Sequence, residues 1–185
     1  SSINAVTLKV GCGQFAVARA RYLETLPTVE VGAAFIDPPR LATVRAWRLE
    51  APASFDFSVP ASQIVTHLAA SSTYSRILKK IPERRRGFCG HFKDTPEVTF
   101  AWEATQALAT ALRAKFIVFE TPISFDPEAN HLRDLYRFFK SAPRGAASFV
   151  WQARGSWEPK LLDKVCGDLG LIRARDPLEE PETAP

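Results

Sequence analysis

An α/β domain built on parallel strands is the fold class this sequence predicts, on three observations. Short apolar runs alternate with segments of helical spacing along the whole chain. Those runs are apolar throughout rather than alternating with polar residues, the habit of strands buried on both faces of a helix-covered parallel sheet. Of 185 residues, 46% are hydrophobic and 24% charged, enough for one sizeable core and ordinary for a globular chain. We expect one domain over residues 1–175, followed by an acidic, Pro-rich, mobile tail over 176–185.

Each element has a local cause. The apolar run Ala5–Val10 predicts a buried strand, turned by Gly11-Cys12-Gly13. Val17, Ala20, Leu23 and Leu26 keep helical spacing within Phe15–Leu26. Thr28–Phe35 predicts a second strand. Pro38-Pro39 breaks the chain before a helix over Leu41–Glu50, with Leu41, Val44 and Trp47 on one face. Phe55–Val59 predicts a third strand, closed by Pro60. A long excursion runs from Ala61 to Thr95. Thr95 is then a natural N-cap and Pro96 a natural first residue for a helix to Lys115, with Phe100, Ala104, Ala107, Leu108 and Leu112 inward. Strands follow at Phe116–Glu120, Ala147–Gln152 and Leu171–Ala174, with helices over Asn130–Lys140 and Pro159–Leu169 between them.

Composition limits the setting. No apolar run approaches the length of a membrane span, and the start SSINAVTLKV lacks the form of a signal peptide. Cys12, Cys89 and Cys166 have neither disulfide-framework nor zinc-motif spacing, so reduced thiols in a cytoplasmic protein are expected. Sixteen Arg against eight Lys, 14 Pro, two Asn and no Met fit a thermophilic source or, equally, GC-rich codon usage.

Seven segments in chain order resemble the domain-of-unknown-function-72, or YecE-like, family. They are VGCG at Val10–Gly13, VEVGAAF at Val29–Phe35, PPRLATVRAW at Pro38–Trp47, FDFSVPASQIVTH at Phe55–His67, GHFKDTPEV at Gly90–Val98, FIVFETP at Phe116–Pro122 and WQARGSW at Trp151–Trp157. The last has an archaeal-type form. The resemblance implies a TIM-barrel-like fold, here an incomplete or opened barrel of about six strands, since a closed barrel has eight. It also implies that the chain stops before the next strand of its relatives. It supplies no established reaction, and fold alone does not give one.

Glu30, His67, Arg154, Trp157 and Asp176 match the family pattern. Other positions depart from it. Gly32 stands where relatives carry an amide, Ile36 where they carry Tyr, Pro60 where they carry Lys, Gln152 where they carry Glu and Glu120 where they carry Gln. Pro60 bears no charge and Gln152 can be neither base nor charged ligand.

Glu30, Glu120, His67, Arg154 and Asp176 would form one polar cluster if they converge at the barrel mouth. A carboxylate would then serve as general base, Arg154 as anion clamp and His67 as acid or ligand. The bland alternative is a buried Glu30–Arg154 ion pair that orders the interior. The three histidines, His67, His91 and His131, show no metal-binding spacing, so no metal or other cofactor is expected. The Gly11–Gly13 segment is a turn and not a phosphate loop. The four tryptophans, Trp47, Trp102, Trp151 and Trp157, are expected to pack the core.

Charge is concentrated in one place. Between Arg76 and Lys93 lie Arg76, Lys79, Lys80, Arg84, Arg85, Arg86 and Lys93 against Glu83, more positive charge than the +4 of the whole chain. Cations at this density suit phosphate backbones, and Phe88 and Phe92 could stack on bases; a solvated loop anchored by its aromatics is the plain alternative. With several polar positions of the family replaced, we expect a non-catalytic binding subunit of a nucleic-acid-containing assembly, RNA first, as in a ribonucleoprotein. The alternatives are a phosphoester-processing enzyme using the mouth residues and a scaffold that binds protein subunits only. No membrane partner is expected.

Overall fold

The computed structural model describes residues 7–176. Residues 5 and 6 of the first apolar run, and the tail from 177 onward, lie outside the described residues.

The described residues form a six-stranded, all-parallel sheet in chain order: β1 (Gly11–Cys12), β2 (Thr28–Glu30), β3 (Asp56–Pro60), β4 (Phe116–Thr121), β5 (Ser148–Ala153) and β6 (Ile172–Arg173). Each strand pairs with its sequence neighbour and the order never reverses. That is the winding of a barrel wall, not of a doubly wound sheet. The sheet stays open, with β1 and β6 as its edges. Helices α1 (Arg19–Thr25), α2 (Ala33–Ile36), α3 (Leu41–Glu50), α4 (Gln63–Thr66), α5 (Pro96–Leu112), α6 (Ala129–Ser141) and α7 (Pro159–Leu169) fill the connections. Among the described residues no helix is long and apolar enough to cross a membrane.

The crossovers between parallel strands carry the helices to one face of the sheet. On that face Val29 lies beside Phe57, Ile117 beside Phe149, and Phe119 beside Trp151. They pack with Tyr22, Val44, Leu108, Leu135 and Val165 of the helices in one buried core. Burying each such side chain contributes about 1.5–3 kcal/mol. The strands are not buried on both faces, contrary to the sequence expectation. Thr28, Glu30, Ser58, Phe116, Val118, Glu120, Val150 and Gln152 point the other way and stay half-exposed. In a closed barrel this face would be the interior; here it is an open surface that carries the polar groups.

Several boundaries differ from expectation for physical reasons. The first strand is Gly11–Cys12, not the apolar run before it; Leu8 and Val10 are exposed. Its glycine is required, because a Cβ at Gly11 would sit 2.0 Å from the Thr28 carbonyl oxygen of the paired strand. The Cys12 N–H donates to the Tyr22 hydroxyl, 2.7 Å away, which locks β1 to α1. The second strand stops at Glu30, and the chain coils into α2 beyond Gly32. In α5 the inward face is Val98, Ala101, Trp102, Thr105, Leu108, Ala109 and Leu112. Phe100 points outward, 75% exposed, so the sequence phase was set by the wrong aromatic. Trp102, Trp151 and Trp157 are buried as expected, and Trp47 is partly buried against the core.

Candidate functional site at the strand C-terminal ends

Barrel-type folds place their chemistry where strands end, and four of the expected residues meet there. Glu30 is the last residue of β2 and Glu120 the next-to-last of β4. Arg154 follows β5, its N–H donating to the Thr121 carbonyl at 3.3 Å. Its Nε lies 2.8 Å from Glu120 Oε1. The ion pair therefore joins Arg154 to Glu120, not to Glu30 as the bland alternative held. Arg154 remains more than half exposed, able to meet an anion from solvent while Glu120 fixes its plane. Glu30 is left without that neutralisation. Burial raises its pKa, and the charge of Glu120 raises it further. Gln152 is the register partner of Glu120 and offers an amide where relatives place a carboxylate.

His67 is 5% exposed just after α4. Its Nδ1 shares a hydrogen bond with Thr66 Oγ1 at 2.8 Å. Burial, and then the charge of Arg154, lowers its pKa to about 4, so the ring is neutral at physiological pH. The Tyr74 hydroxyl donates to the His67 carbonyl at 2.8 Å and holds the backbone in place. His67, Ser71, Thr73, Glu120, Ser124 and Arg154 line an open cavity of about 540 Å³. Asp176 is exposed, three residues past β6, and does not line that cavity.

The other two histidines complete a belt that spacing could not reveal. Gly90, His91 and Phe92 all adopt left-handed backbone, with φ of 81°, 55° and 54°. At Gly90 a Cβ would meet the His67 carbonyl oxygen at 2.2 Å. Gly90, His91 and Phe92 donate backbone hydrogen bonds to Ile64, Thr66 and Val65, which clamps the end of the excursion onto α4. The clamp sends Phe92 into the core and His91 to the mouth, where His91 Nε2 lies 3.2 Å from Ser124 Oγ. The His91 ring is 4.8 Å from the ring of His131, centre to centre. His131 Nδ1 in turn lies 2.8 Å from Asp126 Oδ1. Non-glycine residues held at positive φ gather at functional sites because the fold must over-determine them.

The basic excursion is more ordered than its composition suggests. It holds α4 and three 3₁₀ turns, Ser72–Arg76, Leu78–Lys80 and Glu83–Phe88. Lys80 pairs with Asp37 at 2.6 Å, and Arg85 pairs with Glu97. Arg86 donates to the carbonyls of Ile81 and Leu78, and Lys93 to those of Gly87 and Cys89. Arg76, Lys79 and Arg84 are exposed and have no ion-pair partner among the described residues. Phe88 is 50% exposed, but Phe92 is fully buried among Phe119, Phe125, Phe138 and Phe139. Phe92 is therefore a core anchor and cannot stack on a base. A second depression, of about 480 Å³, is lined by Arg86 and Lys93 and shares Leu68 and Ala70 with the cavity at the mouth. The basic surface and the mouth are thus continuous. A further cavity, of about 670 Å³, lies elsewhere, between the excursion and α5, and is mainly apolar.

A model of the family described as protein of unknown function DUF72 matches residues 14–157. The chain belongs to the DUF72 family. Its fold is shared with a DUF72 family protein, EF0366, from Enterococcus faecalis V583, in two crystal structures. One aligns with TM-score 0.59 and 14% identity over 89% of this chain and 61% of the other; the second with TM-score 0.57 and 12% identity over 85% and 52%. This DUF72 chain thus spans little more than half the length of those relatives. No curated protein matches it.

Proposed function

We propose that this DUF72 protein is a non-catalytic binding subunit that grips the phosphate backbone of a nucleic acid, RNA first, within a larger assembly. The observation that carries this reading is the continuity of the basic excursion with the strand-end cavity. Arg76, Lys79 and Arg84 offer unneutralised charge, Arg86 and Lys93 flank the adjoining depression, and Arg154 waits at the mouth. A chain of phosphates laid along this path meets cations at each step, and Phe88 supplies an exposed ring beside them. The three free thiols suit a cytoplasmic setting. Native mass of the complex isolated from its source tests the assignment. The expected result is a large particle that nuclease disperses. A free chain of about its own 20.5 kDa mass, unmoved by nuclease, would exclude it.

Glu30 favours a second reading, an enzyme of phosphoester chemistry. A carboxyl with raised pKa beside a second carboxylate and an exposed guanidinium is the arrangement a general acid–base site needs. The expected result on this reading is phosphodiesterase turnover that Glu30→Gln abolishes. Turnover unchanged by that substitution would remove it.

A further inference from the structure

Outside the carboxylate–arginine cavity, one cluster at the same end of the sheet has a composition that nucleic-acid binding does not use. Asp126 and Glu128 occupy the turn from β4 into α6, and His131 lies in the first turn of α6. Each offers one donor atom, and these atoms lie within 4.8 Å of one another. The turn that carries them is fixed from below. Phe125 is fully buried, its carbonyl accepts from Trp157 Nε1 at 2.8 Å, and its ring lies 4.8 Å from that of His131. Ligands on such a support lose little freedom when they close on an ion.

A second observation comes from a different part of the chain. His91 is 5% exposed and packs edge-on against His131 at 4.8 Å. One ring nitrogen meets Ser124; the other has no hydrogen-bond partner among the described residues. The contact with His131 sets a second imidazole beside the three convergent donors.

We propose that Asp126, Glu128 and His131 form a binding site for one divalent first-row transition-metal ion of the zinc class, with His91 as the nearest further imidazole donor. Imidazole nitrogen with carboxylate oxygen suits zinc and its neighbours better than magnesium or calcium, which take oxygen sets. Three protein donors leave a coordination position for water or for an anion, as open zinc sites do. The site stands on these donors alone and holds whether or not the basic excursion binds nucleic acid.

Metal titration decides it. The chain, purified without a histidine tag and carrying Cys12→Ser to remove the exposed thiol, is stripped with chelator and titrated with zinc chloride by calorimetry at neutral pH. One ion per chain is expected. Asp126→Asn and Glu128→Gln should each weaken binding about tenfold or more, whereas Glu30→Gln should leave it unchanged. Glu128 is exposed and makes no capping hydrogen bond, so its variant stays informative if the Asp126 variant folds poorly. Absence of stoichiometric binding overturns the proposal, as does binding undiminished by both substitutions. Loss of the site with retained nucleic-acid association, or the reverse, separates this inference from the function proposed above.

Discussion

At Gly90 a single hydrogen atom decides whether the mouth can form. The residue holds φ at 81°, and a Cβ there would press on the His67 carbonyl at 2.2 Å. Gly90→Ala combines a left-handed penalty with a backbone collision, so we expect a loss of about 2 kcal/mol or more by urea unfolding. Gly145→Ala, with nothing within 4 Å and no positive φ, should change stability by less than about 0.5 kcal/mol. His67 makes a second residue-scale prediction. Its folded pKa is about 4 against an ordinary value of 6.5, lowered by burial and by Arg154. The unfolded ring takes up a proton near pH 6.5 while the folded ring refuses it. Stability from this group is therefore full above pH 6.5 and is lost as pH falls toward 4, at about 1.4 kcal/mol per pH unit. Between pH 7.5 and 5.5 the native chain should lose about 1.4 kcal/mol more than His67→Gln loses; equal losses would refute the assignment. The charge that faces the ring is that of Arg154.

At the scale of elements, the excursion is held by its ends rather than by its basic middle. Thr95 Oγ1 accepts from the Val98 N–H at 3.4 Å and donates to the Phe88 carbonyl at 2.7 Å, capping α5 and tying it to the last 3₁₀ turn. Phe92, fully buried, is the other anchor. Phe92→Ala should cost about 3–5 kcal/mol, while Phe88→Ala, half exposed, should stay within about 0.5 kcal/mol of the native chain in stability. If Phe88 stacks on bases, its variant weakens nucleic-acid association without moving the unfolding midpoint; a shifted midpoint with unchanged association would assign it to packing alone. These two rings explain how far sequence reading reaches. Both lie in the same basic segment, and only the left-handed turn at Gly90–Phe92 sends one inward. Glu30, Glu120, His67 and Arg154 were legible as a candidate group because the family resemblance marks their positions as polar ones near strand ends, whereas Asp176, expected with them, does not line the cavity. The meeting of His91 with His131 and Asp126 was not, because it depends on two loops closing over different strands. Helix α5 shows the same limit in small: its period was readable, but taking Phe100 as inward shifted the buried face away from Trp102.

At the scale of the molecule, the sheet has one face in the core and one open, with its polar groups along the open face and its unpaired cations on the excursion. The net charge of +4 is small, so a general attraction to polyanions is weak and any association must come from local density. That makes ionic strength the sharpest whole-molecule probe. Cations already matched by Asp37 and Glu97 release few counterions, because their charge is neutralised within the protein. Arg76, Lys79 and Arg84 are free to displace them. Three such contacts on a single strand give a slope of about −2 in a plot of log affinity against log salt. Replacing all three by alanine should make the slope shallower by about 2 and weaken binding of a fluorescent single-stranded RNA at physiological salt. Because the three side chains are exposed, their loss should leave the thermal midpoint nearly unchanged, so weakened binding cannot be attributed to unfolding. A slope that stays near −2 in the triple variant would mean that the contacts lie elsewhere, with Arg154, Arg86 and Lys93 at the mouth the next cations to remove. A flat slope in the native chain would mean that the open face meets its partner without phosphate, and the scaffold role would take precedence over nucleic acid.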